Sequence, residues 1–210
     1  MPGSRLIDRY RLPADEIERR SLALVEAAIP SCSGWTSEAR EIVKRMVYAA
    51  GDLGLAGLAH VHPDAVEAGI AALRAGAPIV CDVRMVAAGL RPTANPMFIA
   101  MDVPRASPLP RGEGTTRTAQ GILALQGELD GAIAVIGNAP TALLALLDLI
   151  DEGVCQPALI VATPVGFVAA ADSKQELIRR AVPYVTVEGT RGGSPVAAAA
   201  MNALLILAQR

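Results

Sequence analysis

The chain has 210 residues, of which 52% are hydrophobic, and its formal net charge is -2. This length predicts one domain over residues 1–210, large enough to bury a substantial core. Aromatic residues make up only 3% and no basic run occurs, so nucleic-acid binding is not expected. The three cysteines lack metal-ligand spacing, which favours a reducing compartment without disulfides.

Three long stretches carry no charged side chain, over residues 132–147, 154–171 and 192–209. Each is interrupted by Gly, Pro or Asn, whereas a membrane span needs about twenty consecutive apolar residues. The first residues also lack the basic-then-apolar order of a signal peptide. We therefore expect a cytoplasmic globular protein that does not interact with membranes.

Residues 1–75 predict helices, which cover residues 14–28, 37–50 and 63–75. In the second helix the apolar side chains form one stripe, and polar side chains occupy the other side. Arg45, Tyr48 and Asp52 share that polar side because of their helical spacing. An ordinary solvated face is the simpler interpretation of these three residues, and a binding surface is the alternative.

After Gly76 the hydrophobic period changes to short apolar runs rich in Val and Ile. Such runs are typical of strands buried on both faces of a parallel sheet. They cover residues 78–83, 97–101, 133–136, 158–162 and 184–187, with predicted helices over residues 116–129, 141–151, 173–181 and 195–208. This pattern predicts a single α/β domain with a five-stranded, mainly parallel sheet flanked by helices on both faces. Residues 104–115 predict a surface loop of a length common among mobile lids.

Small or polar residues follow several of these strands, at the carboxyl ends where parallel sheets bind their ligands. After the third strand, Gly137 permits close backbone approach and Asn138 can present an amide. Thr141 lies in the first turn of the next helix, where free N–H groups favour an anion. Near residue 190, Arg191 and Gly192 offer a guanidinium beside a flexible turn, which suits a carboxylate or phosphate. Plain structural turns explain both segments equally well.

Two further candidates are weaker. His60 and His62 alternate, so a strand would place both on one side, as a metal site requires. No third ligand lies nearby in sequence, so a surface connection is the preferred interpretation. Cys81 is expected to be a buried apolar residue, because no histidine partner for a nucleophile is identifiable.

Seven segments together resemble the precorrin-8X methylmutase family of corrin biosynthesis, and the resemblance runs over about residues 17–208. They are ERRS (18–21), RMVYAAGD (45–52), GAPIVCDVRMVAAG (76–89), RTA (117–119), IGNAPTALL (136–144), PVGFVAAADSK (164–174) and RGGS (191–194). The resemblance implies a cobalamin-biosynthesis isomerase that shifts a methyl group on ring C of precorrin-8X or cobalt-precorrin-8. The product would be hydrogenobyrinic acid or cobyrinic acid. It also implies a tetrapyrrole substrate, no cofactor, no metal held by the protein, and a homodimer.

The resemblance implies a set of substrate-binding residues, namely Ser21, Arg45, Asp82, Met85, Arg117, Asn138, Thr141, Gly166, Arg191 and Gly192. Arginines and helix N-termini suit the substrate's carboxylates. The family pattern has Met-Val-His with histidine as proton donor, and here Tyr48 takes that position and is the candidate catalytic residue. A free tyrosine has a pKa of about 10 against about 6.5 for histidine, so it is the weaker acid.

The substitution at position 48 leaves three hypotheses open. The first is a working methylmutase in which Tyr48 donates or positions a proton. The second is a non-catalytic, corrinoid-binding paralogue. The third is an unrelated α/β protein that binds a nucleotide or phosphate at its helix N-termini.

Overall fold

A computed structural model describes residues 5–9, 11–29, 34–104 and 115–210 of the protein. Within them, helices α1 to α9 cover Leu6–Arg9, Ala14–Ala28, Ser37–Ala50, Ala65–Arg74, Arg84–Ala88, Arg117–Ala124, Pro140–Asp151, Ala170–Ile178 and Ser194–Ala208. Strands β1 to β6 cover Ala59–Val61, Ile79–Cys81, Met97–Ile99, Ile133–Ile136, Leu159–Ala162 and Tyr184–Val187. The strands form one sheet in the order β1-β6-β5-β4-β2-β3.

The sheet is parallel except at one edge, where β1 pairs antiparallel with β6. In the centre, β4 aligns Ile133 with Leu159 of β5, and β2 aligns Ile79 with Ile133. Because parallel strands point the same way, the turns after β2, β4, β5 and β6 meet at one edge of the sheet. We call this edge the carboxyl edge, and it gathers most of the predicted site residues.

Side chains of the central strands alternate between two buried layers, since successive residues of a strand point to opposite faces. In β4, Ile133 and Val135 face the layer that contains α3, α4 and α9, while Ala134 and Ile136 face the layer that contains α6 and α7. All four are fully buried. Burial on both faces explains why these strands are continuous apolar runs rather than alternating ones, and it confirms the predicted α/β class with helices on both faces.

The prediction of five strands is wrong by one, because β1 lies in a segment interpreted as a surface connection. Its three residues are too few to show the alternation of apolar and polar side chains that marks a strand. The strand is defined by its backbone pairing with β6, in which His60 aligns with Thr186. The next helix also begins at Ala65 rather than at residue 63. Tertiary pairing, not local sequence preference, makes this segment a strand.

Other element ends differ from their predictions. The helix predicted over residues 116–129 ends at Ala124, and a short 3-10 turn follows over Gln126–Glu128. Helix α5 lies where no helix was predicted, and α8 begins at Ala170 rather than at residue 173. The predicted lid falls largely on residues 105–114, which lie outside the described residues. No helix within the described ranges is long and apolar enough to cross a membrane.

Candidate active site at the carboxyl edge of the sheet

Asp82 holds the turn after β4 in place. Its carboxylate accepts hydrogen bonds from the backbone N–H groups of Gly137 at 3.1 Å and of Asn138 and Ala139 at 2.8 Å each. The side chain is fully buried. Burial raises the pKa of Asp82, and the N–H donors of the turn oppose that rise. The Asp82 carboxylate was predicted to contact the ligand, but it has no exposed surface. Its hydrogen bonds instead support the turn from behind.

Gly137 is required by packing against two helices. A Cβ atom on it would lie 2.6 Å from the Cγ2 of Val86 in α5 and 2.8 Å from the Cα of Ser194 in α9. Both distances are shorter than real carbon contacts allow. The close approach predicted for this glycine is thus made to the protein's own helices, and the turn presents Asn138, which is exposed, to solvent.

Three predicted residues come together in a cavity of about 430 Å³ at the carboxyl edge. Arg117 opens α6, Asn138 precedes α7 and Thr141 lies in the first turn of α7, and all three line this cavity. The hydroxyl of Thr141 lies 2.6 Å from that of Thr116, the N-cap of α6. Two helix N-termini and one guanidinium therefore face the same space, an arrangement that favours a carboxylate.

The segment from Arg191 to Gly193 is bound closely to the end of β5. The backbone N–H of Gly193 donates to the carbonyl of Thr163 at 2.6 Å, and a Cβ on Gly192 would overlap that same carbonyl oxygen. Gly192 has a φ of 141°, which favours glycine. Gly166 joins the same network by donating to the carbonyl of Thr190 at 3.1 Å. Gly166 and Gly192 therefore have a structural role, since they let the backbone segments at the carboxyl edge pack closely.

Both the side chain and the main-chain carbonyl of Arg191 are held by contacts. Its Nε lies 3.3 Å from the Oδ2 of Asp52, and its carbonyl accepts a 2.6 Å hydrogen bond from the Nζ of Lys174. The guanidinium and its partner Asp52 are both partly exposed, so the pair is accessible to an anionic ligand that competes with Asp52.

Tyr48 lies in a second cavity, of about 390 Å³, between α3 and α9. The side chain is 41% exposed. Arg45, one turn earlier on α3, lines the same cavity and pairs with Glu18 at 2.6 Å. The solvated-face interpretation is therefore incomplete, because Arg45 and Tyr48 border a cavity, while Asp52 pairs with Arg191 elsewhere.

Two residues that the sequence interpretation did not select complete this second cavity. Arg91 lines it and has no ion pair among the described residues. Asn202 of α9 accepts from the backbone N–H of Arg91 and donates to the carbonyl of Gly89, both at 2.8 Å. The amide of Asn202 thus fixes the loop that brings Arg91 to the cavity. A single Asn in a long apolar helix is the sequence signal that could have identified Asn202.

The remaining predicted residues lie outside both cavities. Ser21 donates its hydroxyl to the carbonyl of Ile17, one turn earlier in α2, at 2.7 Å. Met85 of α5 is 66% exposed. Neither residue lines the cavity of Tyr48 or that of Asn138, and their predicted substrate contacts stay predictions.

His60 and His62 each have a partner within the protein. The Nε2 of His60 lies 2.8 Å from the Oε1 of Glu188, and the ring of His62 packs edge-on against Tyr184 at 5.4 Å. The described residues contain no group of three or more His, Cys, Asp or Glu that could hold a metal ion. Cys81 is fully buried, as expected, and burial raises the pKa of its thiol to about 12.

A larger cavity, of about 830 Å³, lies at the opposite edge of the sheet, near Asp130 and Gln156. None of the predicted site residues lines it, and its cation Arg180 is paired with Asp151 at 2.5 Å. We expect ligand binding at the carboxyl edge, because ligands of parallel sheets bind there and because Arg117 and Arg191 lie there.

Comparison with known proteins identifies the family of the chain. The profile of the family described as "Precorrin-8X methylmutase" matches residues 16–207. The chain is 42% identical over 205 residues to a Precorrin-8X methylmutase of Pseudomonas aeruginosa, covering 95% of this chain and 98% of that one. It is 41% identical over 179 residues to a Cobalt-precorrin-8 methylmutase of Priestia megaterium, covering 83% and 80%.

A solved structure shows the same fold. The crystal structure of the precorrin-8x methyl mutase from Thermus thermophilus superposes with a TM-score of 0.82 and 37% identity. The match covers 93% of this chain and 96% of that chain.

Proposed function

Because the chain belongs to the precorrin-8X methylmutase family, we propose that it moves a methyl group between neighbouring ring C carbons of precorrin-8X or cobalt-precorrin-8. The products are hydrogenobyrinic acid and cobyrinic acid, and the step belongs to cobalamin biosynthesis. The observation that carries this proposal is the family match over residues 16–207. The shift is intramolecular, so the protein's tasks are to bind and orient the macrocycle and to supply a proton.

The carboxylates of the macrocycle are bound, in this proposal, by the cations and N–H groups of the carboxyl edge. Arg117 and the first turn of α7 line one cavity, with Asn138 between them. Arg191 offers a second guanidinium once a ligand carboxylate displaces Asp52. Carboxylates on a rigid ring that meet several fixed donors at once hold the ring in one orientation.

The proton is assigned to the hydroxyl of Tyr48. Tyr48 is partly exposed and lines a cavity, so its hydroxyl can reach a ligand. Arg91 lines the same cavity and stabilises negative charge on the phenolate oxygen until the isomerised ring returns the proton to it, so that the reaction has no net proton change. Tyr48 thus takes the place of the family's histidine, in a cavity that a guanidinium also lines.

The assay offers precorrin-8X and cobalt-precorrin-8 separately to the purified protein and follows the absorbance change of the macrocycle. We expect conversion of at least one substrate, a fall in kcat of about 100-fold for Tyr48→Phe, and retained activity for Tyr48→His. Tyr184→Phe is the matched control, because it removes the hydroxyl of a buried tyrosine that does not line the cavity. Tight binding of hydrogenobyrinic acid with no turnover of either substrate would show a non-catalytic, corrinoid-binding protein instead.

We also infer a cytoplasmic homodimer. Phe167 and Val168, in the loop after β5, are 95% and 85% exposed, which is unusual for large apolar side chains and suits a protein interface. Light scattering should give twice the chain mass of 21.7 kDa, and Phe167→Ser should shift the protein toward monomer. A monomeric wild type at micromolar concentration would refute the dimer.

A further inference from the structure

Lys174 is a buried cation with no acid partner among the residues that the structure describes. It lies in α8 with no exposed surface. Its Nζ donates to the carbonyl of Arg191 at 2.6 Å, and the described residues contain no carboxylate in ion-pair contact with it. Lysine is almost never fully buried without such a partner. Loss of hydration lowers the pKa of Lys174 to about 8, so the ammonium form still predominates at neutral pH.

The ammonium lies directly against the segment Arg191–Gly193. This segment is fixed from its other side by Thr163, whose carbonyl accepts from Gly193 and whose hydroxyl donates to the carbonyl of Gly193 at 3.2 Å. The guanidinium of Arg191 is partly neutralised by Asp52. The charge of Lys174 is not neutralised, so it adds positive potential to the face that the segment presents to a ligand.

We propose that Lys174 is a positioning residue that holds the Arg191–Gly193 segment and places an unneutralised positive charge behind it, which a carboxylate of the bound corrinoid compensates. This inference rests on the proposed function, since it requires an acidic macrocycle at the carboxyl edge. A carboxylate about 6 Å from a unit charge, at an effective dielectric constant near 20 and with solvent screening, gains about tenfold in affinity.

Three variants separate the charge of Lys174 from its hydrogen bond. Lys174→Gln keeps a donor for the Arg191 carbonyl without the charge, Lys174→Met removes both, and Lys174→Arg keeps both. Each is titrated with hydrogenobyrinic acid and with an analogue whose carboxylates are amidated. Hydrogen exchange at the amides of Gly166 and Gly193 reports whether the segment is still held.

We expect Lys174→Gln and Lys174→Met to bind the acid about tenfold more weakly and to bind the amidated analogue within about twofold of wild type. Lys174→Arg should restore acid binding. In turnover the loss should appear in KM with kcat unchanged, because the charge acts on ground state and transition state alike. Exchange at Gly166 and Gly193 should accelerate in Lys174→Met and stay slow in Lys174→Gln.

Lys44→Gln is the control, since Lys44 of α3 is already paired with Glu26 at 3.4 Å. This variant should change the affinity for neither the acid nor the amidated analogue. Acid binding by Lys174→Gln at the wild-type level would overturn the inference, and so would an equal loss for the acid and the amide. A wild type that neither binds nor converts a corrinoid would instead refute the proposed function, and this inference with it.

Discussion

The carboxylate of Asp82 and the backbone N–H of Asn138 are joined by a 2.8 Å hydrogen bond across the carboxyl edge of the sheet. Asp82 follows β2 and Asn138 follows β4, and these two strands are neighbours. The bond, with those to Gly137 and Ala139, occupies N–H groups that point backwards into the protein. Asn138 itself is exposed, and Thr141 in the first turn of α7 is partly exposed.

Removing the carboxylate of Asp82 should therefore loosen the turn. Asp82→Ala leaves three backbone donors, two of them buried, unsatisfied and should lower the free energy of unfolding by about 3 kcal/mol. Asp82→Asn retains an acceptor oxygen and should cost about 1 kcal/mol. Urea denaturation measures both, with Met85→Ala as an exposed neighbour that should change stability little. Equal stability of Asp82→Ala and wild type would contradict the supporting role.

The glycines at 189 and 192 should differ sharply in their tolerance of alanine. Both have positive φ, but a Cβ on Gly189 meets nothing within 4 Å, whereas one on Gly192 overlaps the Thr163 carbonyl. Gly189→Ala should cost about 1 kcal/mol through its backbone conformation, and Gly192→Ala about 3 kcal/mol or more through overpacking as well. Thermal unfolding compares them. Similar losses for the two variants would argue against the close contact.

Lys174 should make stability depend on pH in the alkaline range. The pKa of Lys174 is lowered from about 10.5 to about 8 on folding, because burial disfavours its charge. Between these values the unfolded chain binds more protons, so this group's contribution to stability rises with pH. The stability of wild type relative to Lys174→Met should therefore increase from pH 8 to pH 10.5, by at most about 3 kcal/mol.

Urea midpoints of wild type and Lys174→Met, measured at matched pH, test this directly. Subtracting the two curves removes the tyrosines, cysteines and other lysines that titrate in both proteins. A constant difference across the range would show that Lys174 has an ordinary pKa and is not buried as a cation.

Glu18 should restrain Arg45. Their pair, at 2.6 Å, is partly exposed, so Glu18→Gln should cost less than about 1 kcal/mol of stability. It frees the guanidinium of Arg45 for a ligand carboxylate, so corrinoid affinity should rise about threefold by loss of a competing charge.

Arg45→Met should weaken corrinoid binding instead, because it removes the guanidinium. Titration with hydrogenobyrinic acid measures each, with Glu16→Gln as a control, because Glu16 pairs with Arg19 and Arg20 of the same helix. Unchanged affinity in Glu18→Gln and Arg45→Met would place Arg45 outside the site.

The architecture was largely predictable, because strands buried on both faces are continuous apolar runs in the sequence. The runs that became β4 and β6 were identified with their ends correct, at Ile133–Ile136 and Tyr184–Val187. Strand β1 was not, since three half-buried residues carry no period and depend on pairing with a strand more than a hundred residues later. Family resemblance supplied the reaction, which no single turn could have indicated.

The turns of the candidate site were predictable from the sequence, but the side chains that hold those turns in place were not. The sequence interpretation selected Asn138 and Arg191, because glycine-bearing turns at strand ends are local patterns. It placed Asp82 among the ligand contacts, although the structure turns that carboxylate inward. Lys174 and Arg91 were not selected, since their importance depends on which carbonyl or cavity each one meets in three dimensions. Local sequence does not record such long-range contacts.

Gly137 has a consequence for the size of the ligand. It presses the turn that follows β4 against Val86 and Ser194 with no room for even a methyl group. The cavity of Arg117 borders that turn, and the cavity of Tyr48 borders the first turn of α9, which Ser194 begins. The turn that borders one cavity and the start of the helix that borders the other are therefore in direct contact. Under the proposed function, a macrocycle that occupies both cavities is selected by its span as well as by its charge.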